Sequence, residues 1–153
     1  TNVVLRRGAA VDASFAGHWQ GTYRVVKCTP VLWTTCSTPD YDPPFNLQLS
    51  QSGTTVTGEL TNIPYGNSTP LRVSGSAASA PRLDLSGARP QGIGVGTQTY
   101  RLTAWNVTRD DVGRMSGTFS YIDEVQWTGG PNAGTTWSMA YDVELRYVVR
   151  VPW

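Results

Sequence analysis

The chain holds a single histidine, His18. That leaves no His-based metal centre within one chain. A Ser-His-Asp arrangement would have to recruit it, and no nucleophile elbow is in view. Charge is also scarce. Asp, Glu, Lys and Arg make up 15% of the residues and the net charge is +1, so no strongly basic face offers itself to nucleic acid. No apolar stretch approaches the ~20 residues of a membrane-spanning helix, and no heptad or long amphipathic helix is present. Acidic pairs give little chemistry. Asp110-Asp111 sits in an expected turn, where aspartate is a good turn former, and Asp123-Glu124 ends a strand pattern. Asp142, Glu144 and Arg146 share one strand face and read as a solvated charge ladder, whereas a glycosidase needs two carboxylates across a cleft. Gly92-x-Gly94-x-Gly96 has no following helix to cradle phosphate, so "GIGVG" reads as a connection. Without a nucleophile–base pair or a ligand set, the expectation is a non-enzymatic protein with no metal and no cofactor.

What the chain does have is alternation. "TTWSMAYDVELRYVVRVPW" places Trp137, Met139, Tyr141, Val143, Leu145, Tyr147, Val149 and Val151 on one face, with mostly polar residues between them. This is strand periodicity. At about 3.3 Å per residue the run spans roughly 55 Å, against roughly 20 Å for an ordinary strand. Residues 135–145 suffice for one strand of a barrel, so residues 146–153 are expected to overshoot it.

Seven further strand patterns precede that run. Trp19, Tyr23 and Val25 share a phase, as do Phe45, Leu47 and Leu49. Val56 with Leu60, Leu71 with Val73, and Leu83 with Leu85 follow. Tyr100, Leu102 and Ala104 form the sixth set, and Met115, Phe119 and Tyr121 the seventh. Arg109-Asp110-Asp111 marks a hairpin tip. Ser-Gly recurs as punctuation at Ser52-Gly53, Ser74-Gly75, Ser86-Gly87 and Ser116-Gly117. Residues 86–98, "SGARPQGIGVGTQ", carry no pattern and read as a glycine-rich loop.

Eight consecutive strands without a helix predict an all-β fold. Closure into an eight-stranded antiparallel up-and-down barrel protects every edge, and a two-sheet sandwich is the alternative architecture. Gly21, Gly58 and Gly117 each lie between two large residues of the apolar phase, where a missing side chain lets a strand coil sharply. The organisation expected is an extended N-terminal segment, residues 1–14, a pairing strand in waiting, followed by one barrel domain, residues 15–153.

"FAGHWQGTYRVVKC" followed by "FNLQLSQSGTTVTGEL" resembles a pattern of secreted bacterial β-barrel domains. Gly17-His18-Trp19 resembles the Gly-x-Trp signature that opens the first strand of lipocalins and avidins. The resemblance covers residues 15–60. It implies a barrel with Trp19 plugging one end. Avidin's polar biotin-binding set has no counterpart, so the likeness speaks to the fold more than to an activity.

Cys28 and Cys36 flank "TPVLWTT". With no histidine beside them and a composition of secreted type, they are expected to form a disulfide contributing roughly 2–3 kcal/mol. The chain opens at Thr1 without a leader and is read as the mature form of an extracellular or cell-surface protein. Asn67 and Asn106 stand in glycosylation sequons.

Three functions follow in order of preference. The first is a structural or assembly module, a homo-oligomer or polymer joined through its terminal strands at Val3, Val4, Leu5, Tyr147, Val149 and Val151. The second is a lipocalin-like carrier of a small apolar ligand in a cavity lined by Trp19, Tyr23, Tyr100, Phe119 and Trp137. The third is glycan binding by Trp33, Tyr65, Trp127 and Trp153, all assigned to loops or the chain end.

Overall fold

A computed structural model describes residues 14–29, 41–63 and 69–151. Among them every regular element is a β-strand: β1 Gly17–Thr29, β2 Pro44–Ser52, β3 Thr55–Thr61, β4 Leu71–Ser76, β5 Arg82–Gly92, β6 Gly96–Arg109, β7 Arg114–Trp127 and β8 Thr136–Val151. Each pairs antiparallel with its sequence neighbour, and β8 returns to β1 to close the barrel. Closure gives both edges of the end strands a partner, which no open sheet does. No helix among the described residues is long and apolar enough to cross a membrane.

Antiparallel order puts the connections alternately at two ends. One end is sealed. Trp19 is 0% exposed and its Nε1 donates to the Phe15 carbonyl at 2.9 Å. The Arg150 guanidinium lies 4.7 Å from the Trp19 ring, and that of Arg109 lies 5.0 Å from the Phe15 ring. Both are close enough for cation–π attraction. Phe15 N donates to Gln51 Oε1 at 2.7 Å, and Arg150 Nη2 donates to the Ser14 carbonyl. Above this plug the lower barrel is filled. Phe119 packs 5.1 Å from Trp105 and 6.4 Å from Phe45, with Leu47, Leu60, Leu83 and Val107 buried around them.

The overshooting tail of β8 is a correction to the sequence reading. Val151 pairs with His18, Val149 with Gln20 and Leu145 with Tyr23. On its other side β8 pairs with β7 up to Val149. The length is taken up inside the barrel because its partners are long as well. The straight alternation also breaks. Tyr147 adopts a left-handed φ of 55° and the register with β1 shifts between Gln20 and Thr22. One extra residue there inverts the phase. Val148 turns inward, while Tyr147 is 85% exposed and Val149 also faces out. The bulge leans on Gly21, where a Cβ would sit 2.7 Å from the Tyr147 carbonyl oxygen. A second bulge lies between Leu102 and Ala104. It buries Trp105 and Val107 and exposes Ala104, which the alternation had placed inside.

Two further sequence readings are corrected. Residues 86–98 are not a loop: β5 and β6 pair as Arg89↔Tyr100, Gln91↔Gln98 and Gly92↔Thr97, leaving only 93–95 to turn. The pattern was hidden because polar residues occupy the inward phase here. Of the four Ser-Gly pairs, only Ser52-Gly53 is a turn, with Gly53 at φ 60°. Gly75, Gly87 and Gly117 lie inside strands. The hairpin tip at Asp110 is present. Its Oδ1 accepts from Val112 N at 3.0 Å and Arg114 N at 2.8 Å, and these bonds hold its carboxyl below the usual range. Val3, Val4 and Leu5 of the assembly reading lie outside the described residues, as do Cys36, Asn67, Trp33, Tyr65 and Trp153.

Candidate functional site

The end opposite Trp19 differs in chemistry. Cross-strand register stacks the inward side chains of β5 to β8 in levels. The level next to the core joins Leu102, Tyr121, Tyr141 and Cys28. The next runs Arg89, Tyr100, Asp123, Met139. The outermost runs Gln91, Gln98, Val125, Trp137. Largely apolar lower down, with aliphatic and aromatic side chains, the interior gains buried charged and polar groups at these levels, Arg89 and Asp123.

Tyr121 and Tyr141 stack with ring centroids 4.7 Å apart and 14° between planes, within the range of favourable aromatic pairs. Tyr141 Oη approaches Met139 Sδ at 3.7 Å. Arg89 lies 4.7 Å over the Tyr100 ring and donates through Nη1 to the Thr69 carbonyl. It is 8% exposed, and its Nε and Nη2 have no hydrogen-bond partner. Asp123, also 8% exposed, accepts from Gln98 Nε2 at 2.8 Å. Burial pushes its carboxyl above the usual carboxylate range, only partly offset by that hydrogen bond. Burial first, and then the neighbouring Asp123, raise the Tyr100 and Tyr141 phenols. Tyr121, more deeply set, is raised further by burial.

The residues named for a ligand cavity are thereby separated. Trp19 belongs to the seal and Phe119 to the packed middle. Tyr23 is fully buried and donates its hydroxyl to the Asn62 carbonyl at 2.8 Å. Only Tyr100 and Trp137 reach the levels nearest the opposite end, with Trp137 half-buried. Sequence reading missed Arg89 and Gln98, which fell in the presumed loop, and Asp123, taken as a strand end. The available signal was phase: Asp123 follows Phe119 and Tyr121 at spacing two.

The remaining candidates separate in the same way. His18 is on the outer face, 2.6 Å from Asn46 Oδ1. Glu144 pairs with Arg146 at 2.8 Å, and Ser120 donates to Asp142 at 2.6 Å, as a charge ladder would. Trp127 is the last residue of β7, not a loop residue. Asn106 is exposed on the outer face of β6. Cys28 is half-buried and not a free thiol.

This constellation defines a closed eight-stranded antiparallel barrel with one sealed end and one aromatic, polar-lined end. Comparison with protein-family models, with curated proteins and with solved structures finds no match.

Proposed function

We propose that the barrel is a non-enzymatic binding module that takes a small, largely apolar ligand at the end opposite Trp19. The observation that carries this reading is the level Arg89–Tyr100–Asp123–Met139. A structural core would place aliphatic side chains there. Burying a guanidinium and a carboxyl that do not pair with each other costs stability, and such a cost persists where a bound partner repays it. The flat faces of Tyr141 and Trp137 suit an aromatic or alicyclic body. The reading places the chain outside the cell, with Cys28 bridged to Cys36, the one other cysteine of the sequence.

The test uses N-phenyl-1-naphthylamine, a neutral flat fluorophore. Its emission should rise saturably on mixing with the protein. Tyr141→Ala combined with Trp137→Ala should weaken binding about tenfold, the worth of one or two lost ring contacts. A probe that stays dark, or a double variant that binds as tightly as the parent, refutes the reading.

A second reading, self-assembly, is favoured by Tyr147. A tyrosine 85% exposed on a left-handed backbone, beside the outward Val149, is a natural anchor for a second copy. Strand addition through the β8 backbone is not the route, since β1 and β7 use both of its edges up to Val149. Light scattering should give a multiple of 16.6 kDa for the parent, and the monomer mass for Tyr147→Ser. A parent that runs as a monomer at high concentration disposes of this reading.

A further inference from the structure

Between β4 and β5 the barrel wall parts. Their register runs only from Ser76↔Asp84 to Val73↔Gly87. Beyond that point β4 stays with β3 through Arg72↔Glu59 and Leu71↔Leu60, whereas β5 stays with β6 through Arg89↔Tyr100. Pro90 is one reason the seam cannot continue on β5, since it brings no backbone N–H to a ladder. The seam opens as a lateral cleft of about 380 Å³ whose lining includes Glu59, Thr69, Arg72 and Arg89. That volume falls within the range of small-molecule sites.

Arg89 is the side chain common to this cleft and to the barrel interior. It bridges the parted strands, reaching from β5 to the Thr69 carbonyl at the entry to β4. One edge of its fork, Nε and Nη2, is buried without a partner. A buried donor left unmade costs far more than an ordinary hydrogen bond returns. The paired N–H groups of that edge match two oxygens of one planar group. Glu59, Arg72 and Arg89 together carry one net positive charge, so the cleft balances a monoanion. A dianion would face the Glu59 carboxylate with nothing left to compensate it.

The geometry points to the β4–β5 cleft as a carboxylate-binding site, with Arg89 as the residue that receives the carboxylate of a small organic acid. The two unpartnered nitrogens are shielded from solvent, so the guanidinium turns from Tyr100 toward the cleft to meet its ligand. It gives up one hydrogen bond and one ring contact and gains two charge-assisted bonds. The site deepens the reading of the end opposite Trp19 as a binding site and rests on it for the ligand's apolar body. It supplies the acid group of the same molecule.

The experiment is a titration of isotope-labelled protein followed by NMR at the Ala88 and Arg89 amides and at Arg89 Nε. The probes are benzoate, its neutral isostere benzamide, and inorganic sulfate. Benzoate should shift all three signals saturably, with a dissociation constant of about 1 mM or tighter. Benzamide should not. Arg89→Gln should weaken benzoate at least about tenfold, as expected for losing a charge-assisted pair, and Glu59→Gln should tighten it roughly threefold by removing a like charge. If Arg89→Gln does not fold, Glu59→Gln decides the matter. Benzamide equal to benzoate, sulfate binding more tightly than benzoate, or signals that do not move would each overturn the site. If N-phenyl-1-naphthylamine still binds when benzoate is silent, only the carboxylate site fails. If both are silent, the binding reading fails with it.

Discussion

Trp19→Ala should cost about 4–5 kcal/mol, a large share of the 5–15 kcal/mol that holds a typical domain folded. The side chain is 0% exposed, so truncation removes its burial and leaves a cavity at the sealed end. Two contacts fail at once. The Phe15 carbonyl loses the indole donor at 2.9 Å, and Arg150 loses the ring beneath its guanidinium. The segment entering the barrel is tied down at Ser14 and Phe15 by Arg150 and Gln51, so loosening Arg150 should free it as well. Trp19→Phe, which keeps a ring but not the N–H, should cost about half as much. Arg150→Met should cost about 1 kcal/mol, and the double variant Trp19→Phe/Arg150→Met should show coupling of similar size. Urea unfolding followed by circular dichroism measures all of these. A cost below about 1 kcal/mol for Trp19→Ala would mean that this end is not what holds the barrel shut.

Trp19 was also the residue most legible from sequence alone. Its phase with Tyr23, the glycine before it and the strand pattern around it all agreed, and closure of eight strands followed from the same alternation. Legibility failed where one residue breaks a period of two. At Tyr147 and at Thr103 a bulge inverts which side chains face in, and nothing in composition announces a bulge. It failed again where the interior is polar. Arg89, Gln91 and Gln98 follow the same alternation as the leucines of β5, but an eye tuned to apolar residues sees a loop. The candidate site was lost there for the reason that makes it a candidate: Arg89 and Asp123 break the rule that inward means apolar. Ser-Gly misled in a third way. Glycine serves a turn by its freedom of φ and a coiled strand by its lack of a Cβ, and the sequence is the same for both.

That last distinction sets the second large effect. Gly58→Ala should destabilise the barrel by about 3 kcal/mol, at the upper end for overpacking. Gly58 pairs with Leu49 on one side and Val73 on the other. A Cβ there would stand 1.9 Å from the Gln48 carbonyl oxygen and 2.9 Å from Leu49 Cδ2. The first is backbone, so no rotamer relieves it. β2 and β3 must separate, and the ladder between them with it. Gly53→Ala isolates the other use of glycine. It sits at φ 60° with nothing within 4 Å, so its cost is conformational alone, about 1 kcal/mol. Gly92→Ala has open space and no left-handed φ, and should change stability by less than about 0.5 kcal/mol. The order Gly58, Gly53, Gly92 in denaturation midpoints is the signature of strands pressed together by closure. Gly58→Ala as mild as Gly92→Ala would mean that β2 and β3 do not approach this closely, and the coiling that closes the cylinder would need another cause.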